Sequence, residues 1–195
     1  MTVLAHPHGH EVELDTALDF VNTLELEGSD LVDHLPDVDA VIAWLAEHGL
    51  VHPELCADDD DRVVERVRTV REALRTVIDA LAEDRAADPG ALGTVNQALA
   101  ARDAVELVPA PEGARVGHRH VGDPIDGALA RLAEPLVSLV AEGDISRLRV
   151  CANDRCRWAF YDTSRTGRRR WCDMATCGNR AKAARHRARA KREGG

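Results

Sequence analysis

The sequence is poor in aromatic residues and has no long apolar run. Only 3% of its 195 residues are Phe, Trp or Tyr, and its apolar residues are mostly Ala, Val and Leu, which favour a helical body packed on aliphatic side chains. No segment approaches the roughly 18 apolar residues that a membrane-spanning helix needs. The N-terminus lacks the basic and apolar regions of a secretion signal. We therefore expect a cytoplasmic protein.

Familiar catalytic motifs are missing as well. The sequence has no phosphate-binding GxxxxGK, no HExxH of zinc proteases and no GxSxG nucleophile turn. Nothing else in it identifies an enzyme, so we expect a protein without catalytic activity.

Charge is distributed unevenly along the chain, whose net charge is −9. From Arg147 onward there are 15 Lys and Arg against 4 Asp and Glu, whereas residues 1–146 hold 10 against 30. An Arg-rich composition explains the scarcity of Lys but not this clustering. Such asymmetry is typical of a nucleic-acid-binding tail attached to a body that phosphate would repel.

The acidic part, residues 1–145, predicts a mainly helical domain. Helical spacing of apolar residues predicts a first helix over 13–26, and Asp37 and Gly49 are suited to cap a second. A third follows the run of aspartates that ends at Asp61, with its arginines on the outer face. Further helices begin near Pro89 and Pro124, and we expect Pro135 to kink or divide the last one.

One part of this domain does not have a helical pattern. Residues 104–123 are rich in Val, Pro and Gly and predict a small β-hairpin that turns at residues 111–113.

Residues 146–195 contain two close pairs of cysteines. Four residues separate the members of each pair, and fifteen separate the pairs: Cys151, Cys156, Cys172 and Cys177. This spacing is typical of one tetrahedral Zn²⁺ site, because each pair closes a small chelate loop and the insert folds back. We expect the insert to be a hairpin, with one strand over 157–162 and a returning strand over 168–172. Four buried thiols without a metal are the alternative interpretation.

A site with four thiolate ligands has no open position for water, so the predicted zinc ion is structural and not catalytic. So small a segment buries too little surface to fold unaided, and we expect metal binding to supply its folding energy. Its four aromatic residues, Trp158, Phe160, Tyr161 and Trp171, would form a small apolar core, with a row that stacks on nucleic-acid bases as the alternative.

The residues after Cys177 are mostly Ala and Arg, which predicts a helix with a small-residue face and cationic flanks. That arrangement suits contact with nucleic-acid phosphates. A helix kept soluble by its charges is the alternative. The residues expected to contact nucleic acid are Arg170 beside the second cysteine pair and Arg180, Lys182, Arg185, Arg187 and Arg189 on the helix.

The tail resembles the CGNR zinc-finger family. The resemblance covers residues 147–192 and includes the paired cysteines, Phe160, Asp162, Ser164 and the sequence Cys-Gly-Asn-Arg at 177–180. The body, with LDFVNT at 18–23, is similar to the ABATE domain that precedes this finger in stress-induced transcription regulators. The resemblance implies DNA binding by the finger and sensing or dimerisation by the body.

Several other groups are weaker candidates for binding sites. Asp19 and Asn22 lie on one helix face, where they could hold a small polar effector or bond a neighbouring segment. Cys56 is interpreted as a small buried residue, with a redox-sensing thiol as the alternative. Alternating histidines could hold a second metal or be ordinary surface residues: His6, His8 and His10, and His118 and His120.

These observations favour a transcription regulator that binds DNA through a zinc module and its Arg-rich helix. One alternative is an interaction module whose basic tail docks on an acidic protein surface, including that of its own body, as an autoinhibitory contact. Another is an RNA-binding factor. The sequence leaves open whether the chain forms homodimers.

Overall fold

The computed structural model describes residues 12–27, 30–55, 60–102, 104–111, 113–119 and 122–184. It shows a mainly helical domain with small β-hairpins, followed by a module that carries the four clustered cysteines. The helices are α1 (Leu14–Asn22), α2 (Val38–Glu47), α3 (Asp60–Ala82), α4 (Pro89–Leu99) and α5 (Pro124–Glu142). The strands form three antiparallel hairpins: β1 (Leu24–Glu27) with β2 (Asp30–Asp33), β3 (Ala104–Ala110) with β4 (Gly113–Arg119), and β5 (Leu148–Val150) with β6 (Ala159–Tyr161).

Helix α1 is shorter than the sequence pattern predicted. It ends at Asn22, where the Thr23 hydroxyl donates to the Phe20 carbonyl at 2.7 Å. The next residues, Leu-Glu-Leu-Glu, alternate in polarity and pair with β2, so the prediction of a helix to residue 26 was wrong. Alternation of this kind fits a strand once a partner strand follows closely.

The caps of the other helices agree with the sequence analysis. The Asp37 carboxylate accepts from the Ala40 amide at 2.9 Å, and Gly49 has a positive φ of 67° after α2. Asp88 caps α4 in the same way, with Pro89 in its first turn. Strands β3 and β4 pair up to Ala110 and Gly113, so the hairpin turns in the region that the sequence predicted.

Helix α5 continues through Pro135 as one element, so the prolyl residue does not divide it. Proline has no N–H to donate to the preceding turn. Helix α5 packs against α1 and α4, and this packing offsets the loss of one helical hydrogen bond.

Most arginines of α3 face outward, but Arg71 lies in the core with 2% of its surface exposed. Its guanidinium donates to both oxygens of Asp33 at 2.7 Å and to the Thr23 hydroxyl at 2.9 Å. The prediction that the arginines of this helix all lie on its outer face was therefore wrong. The pair fastens α3 to β2 and to the end of α1.

The carboxyl of Asp33 stays ionised in this position. Burial alone would raise its pKa, but hydrogen bonds from Arg71 and the Leu35 amide, together with the charges of Arg71 and Arg68, outweigh that effect and lower the pKa below the ordinary 3.8. The ion pair between Asp33 and Arg71 therefore stabilises the folded state fully above pH 3.8. This stabilisation is lost as the pH falls through the lowered pKa of Asp33.

The cysteine-bearing module is not separate from the helical core. A 3-10 turn at Ile145–Arg147 leads into β5, and the buried residues Leu148 and Ala159 of β5 and β6 belong to the same apolar cluster as the helices. Helices α1 and α3 pack against this hairpin. None of the described helices is long and apolar enough to cross a membrane.

We predict that Asp33→Asn lowers the free energy of unfolding by about 3–5 kcal/mol, because it leaves the buried Arg71 guanidinium without a counter-charge. Urea denaturation followed by circular dichroism measures this change. Asp37→Asn is the matched control, since Asn caps a helix nearly as well as Asp. Equal effects of the two substitutions would contradict the role given to the buried pair.

Candidate metal centre

The four cysteines come from two parts of the module. Cys151 directly follows β5, and two residues separate Cys156 from β6, so the first pair lies in the loop that connects the two strands of this hairpin. Within that loop the Cys156 amide donates to the Asn153 carbonyl at 2.8 Å, and the Cys151 amide donates to the Trp158 carbonyl at 2.8 Å. Cys172 lies at the end of an irregular segment, and Cys177 lies in a helical turn.

The sulfur atoms of these residues converge on one point. All four Sγ atoms lie within 4.8 Å of one another, with Cys156 and Cys172 3.6 Å apart and Cys172 and Cys177 3.9 Å apart. Tetrahedral Zn²⁺ with Zn–S bonds of about 2.3 Å requires S···S distances of about 3.8 Å. Four thiolates at this spacing fit one structural zinc ion, as the sequence predicted. No other cluster of three or more His, Cys, Asp or Glu ligands occurs among the residues that the structure describes.

Without a metal, two of the packed thiols resist ionisation. Burial raises the pKa of Cys156 to about 11, and burial together with the adjacent thiols raises that of Cys172 further. Burial also opposes ionisation of Cys177, but the Asn153 amide donates to its sulfur at 3.3 Å and the net effect lowers its pKa. A divalent cation that holds all four as thiolates therefore displaces protons as it binds.

The segment after Cys156 is attached to the helical body at three consecutive residues, 157–159, which we call the docking segment. Arg157 has a φ of 53°, a left-handed conformation that costs a non-glycine residue about 1–2 kcal/mol. Helix α3 holds it there, because Arg75 donates to its carbonyl and Asp79 accepts from its guanidinium at 3.2 Å.

The other two residues of the docking segment contact α1 and β1. Trp158 donates its indole N–H to the Glu25 carboxylate at 2.6 Å. The side-chain amide of Asn22 accepts from the Ala159 amide and donates to the Ala159 carbonyl, both at 2.9 Å. Asn22 is 4% exposed, so these bonds are shielded from water.

The loop between the cysteine pairs is organised by Asp162, which is fully buried. Its carboxylate accepts from the backbone amides of Ser164 and Arg169 at 3.0 and 2.7 Å. Burial alone would raise its pKa, but hydrogen bonds from Ser164 and Arg169 lower it to about 2. The loop then turns at Gly167, whose φ is +58°.

The hairpin expected between the cysteine pairs is not the one that forms. Strand β6 pairs with β5 and not with residues 168–172, which form no strand. Burial of Leu148 explains the choice, because pairing with β5 places this residue in the core. The returning segment is held instead by hydrogen bonds from the Ala152 amide to the Arg170 carbonyl at 2.8 Å and from the Arg169 amide to the Asp162 carboxylate at 2.7 Å. The four aromatic residues of the module are only half-buried. The prediction that they form a small apolar core was therefore also wrong.

The terminal helix begins before Cys177, earlier than the sequence predicted. A π-helical turn, Met174–Gly178, continues as α-helix over 179–184, and together we call these the terminal helix. Asp173 caps it by accepting from the Thr176 amide at 2.7 Å. Cys177 therefore lies inside the first turns of the terminal helix, so a bound metal would fix the helix directly to the first cysteine pair.

Only part of the predicted nucleic-acid-binding set falls in the described residues. Arg170, Arg180 and Lys182 are exposed, and the Arg170 guanidinium lies 5.4 Å from the centre of the Trp171 ring. Arg185, Arg187 and Arg189 lie outside the described residues.

The candidate effector pair is not assembled as one site. The amide of Asn22 is used in its contact with Ala159, the second of the two interpretations given for it. Asp19 is exposed, and its pKa is raised first by partial burial and then by the charge of Asp15. His6, His8, His10, His120 and Cys56 lie outside the described residues, as does the side chain of His118.

The sequence analysis did not identify three residues that have a structural role in the module. Asn153 donates to a metal-binding sulfur, Arg169 donates to the Cys172 carbonyl, and Asp173 caps the terminal helix. Only Asp173 had a readable signal, since an Asp directly before a helix is a common N-cap.

Comparison with known families agrees with this architecture. The model of the ABATE family, described as "Putative stress-induced transcription regulator", matches residues 14–143, about two thirds of the chain. The chain belongs to the ABATE family. The CGNR zinc-finger model matches residues 147–190 and so includes all four clustered cysteines. Comparison with curated proteins gives no significant match.

We predict that the purified chain binds one zinc ion and that Cys172→Ser reduces this to a substoichiometric amount, because a hydroxyl is a poor replacement for a thiolate. Elemental analysis after exhaustive dialysis measures the ratio of zinc to protein. Cys56→Ser is the matched control and should keep one ion per chain. Equal zinc loss in both variants would show that the cluster is not the metal site.

Proposed function

We propose that this ABATE-family chain is a transcription regulator that binds DNA through its CGNR zinc finger, without catalytic activity of its own. The observation that supports this proposal most strongly is that the described cations of the module differ in what they contact. Some arginines bind the module's own backbone, Arg157 binds α3, and the others are exposed to solvent.

The structural arginines hold the loop between the cysteine pairs. Arg147 donates to the carbonyls of Asp162 and Ser164 at 2.8 and 2.9 Å, and Arg149 donates to the Gly167 carbonyl at 3.1 Å. The guanidinium of Arg169 lies 5.1 Å from the centre of the Phe160 ring and donates to the Cys172 carbonyl. These contacts fix the backbone of the loop and so hold the exposed cations of the loop in place.

The remaining cations of the module are exposed and close in sequence to the cysteines. They are Arg155, Arg165, Arg168, Arg170, Arg180 and Lys182. Preorganised cations bind phosphate with less loss of side-chain and backbone entropy than a flexible basic tail. Arg also forms bidentate hydrogen bonds with guanine edges, which supplies base recognition in addition to charge.

The acidic body would repel DNA and so confine contact to the finger. In our proposal the body senses a signal or pairs with a second copy. An open groove of about 1090 Å³ supports the sensing part, because it lies between the C-terminal halves of α4 and α5 and includes Tyr161 of the finger's own hairpin. A small molecule bound there would contact both parts of the chain.

We predict that affinity for duplex DNA falls steeply with salt, with a slope of log K against log salt of about −5 if six phosphates are neutralised. Fluorescence anisotropy across a salt series gives the slope. The double substitution Arg180→Gln and Lys182→Gln should make the slope less negative by about 2, because it removes two phosphate contacts. Arg85→Gln, which removes one positive charge from an exposed position of the body, should leave the slope unchanged.

Two competitors separate the alternatives in the same assay. Single-stranded RNA that displaces the duplex would favour an RNA-binding factor, and polyglutamate that binds in its place would favour a module for acidic protein surfaces. A salt slope near zero would reject nucleic-acid binding by the finger.

A further inference from the structure

The two cysteine pairs are held in place by different means. Both ends of the first pair join elements packed on the helical body, since Cys151 follows β5 and Cys156 leads into the docking segment. The second pair lies on the loop and the terminal helix, where the Ala152 amide donates to the Arg170 carbonyl and the Asn153 side chain donates to the Cys177 sulfur. The first pair is thus connected to the helical body through the residues on either side of it, whereas these bonds connect the second pair to the loop of the first.

Asn22 has a central place in this attachment. Its amide makes the same two hydrogen bonds to Ala159 that a neighbouring β-strand would make, so it extends the β5–β6 hairpin on the side of α1. Removing the partner would leave the amide N–H and carbonyl of Ala159 buried without hydrogen bonds, which is unfavourable. Ala159 itself is 2% exposed and packs with the helical core.

We propose that the helical body preforms the first half of the zinc site, and that zinc orders only the second half. In the metal-free protein, Cys151 and Cys156 stay in position on the docked hairpin. Binding of zinc then captures Cys172 and Cys177 and fixes the terminal helix that carries Arg180 and Lys182. Asn22 acts as a positioning residue for the metal, because it keeps the docking segment on the body.

Zinc binding has to order fewer residues when the first pair of ligands is already in position than when the whole module starts unfolded. A preformed pair of ligands lowers the conformational entropy lost on binding, so the apparent zinc affinity is higher than for a module that starts unfolded. The coupling is reciprocal by linkage, so zinc must also stabilise the docked hairpin against opening. This inference concerns assembly of the metal site and does not depend on DNA binding.

Hydrogen exchange on the full chain, compared with and without zinc after treatment with a chelator, tests the proposal directly. We expect the amides of Cys151 and Ala159 to stay protected in the metal-free chain, because both donate to acceptors in the docked hairpin or the body. Amides of the terminal helix, such as that of Gly178, should exchange at least 10-fold faster than in the zinc-bound chain. Loss of protection in both regions together would overturn the proposal.

Asn22→Ala tests the positioning role. In the metal-free variant the Ala159 amide should lose its protection, and competition with a chromophoric chelator should show zinc affinity weakened about 10-fold. Asn96→Ala, a matched substitution at an exposed position of α4, should change neither quantity. Unchanged zinc affinity in the Asn22 variant would reject the role.

A second variant covers the case in which Asn22→Ala disrupts the body, as judged by circular dichroism. Trp158→Phe removes the indole N–H that donates to Glu25 and leaves the bonds between Asn22 and Ala159 in place. It should keep the helical body folded and weaken zinc affinity by less than Asn22→Ala does. Unchanged zinc affinity in this variant would contradict the role given to the docking segment.

Discussion

The arrangement of the C-terminal module depends on one constraint, that four sulfur atoms from two distant segments share a single cation. The thiols of Cys156 and Cys172 have raised pKa values, first because of burial and then because of neighbouring cysteines. A divalent metal removes this conflict, because it stabilises all four thiolates at the same spacing. The metal would also add to the bond from Asn153 to the Cys177 sulfur, which holds the terminal helix against the loop of the first pair.

The module is nevertheless not built by metal alone. The core residues Leu148 and Ala159, the amide of Asn22 and the contacts of Arg157 with α3 connect it to the helical body. The chain therefore combines two kinds of stabilisation, hydrophobic packing for one half of the site and metal coordination for the other. Such a division allows the body to influence the finger through a short and well-defined contact.

Features that depend on residues close in the chain could be predicted from the sequence. Contacts between residues far apart in the chain could not. Helix caps such as Asp37 and the cysteine spacing depend on residues close in the chain, and both predictions were confirmed. The strand partner of β6 depends on which pairing buries Leu148, and the burial of Arg71 depends on a carboxylate 38 residues away. For Asn22 the pattern left two interpretations open, because its partner Ala159 lies 137 residues further along.

The central claim is that Cys151, Cys156, Cys172 and Cys177 bind one zinc ion together. X-ray absorption spectroscopy at the zinc edge of the full chain tests it most directly, since the spectrum reports the type, number and distance of the ligands. The account predicts four sulfur ligands at about 2.3 Å and no nitrogen or oxygen in the first shell. A site with fewer sulfurs and added nitrogen or oxygen ligands would contradict it.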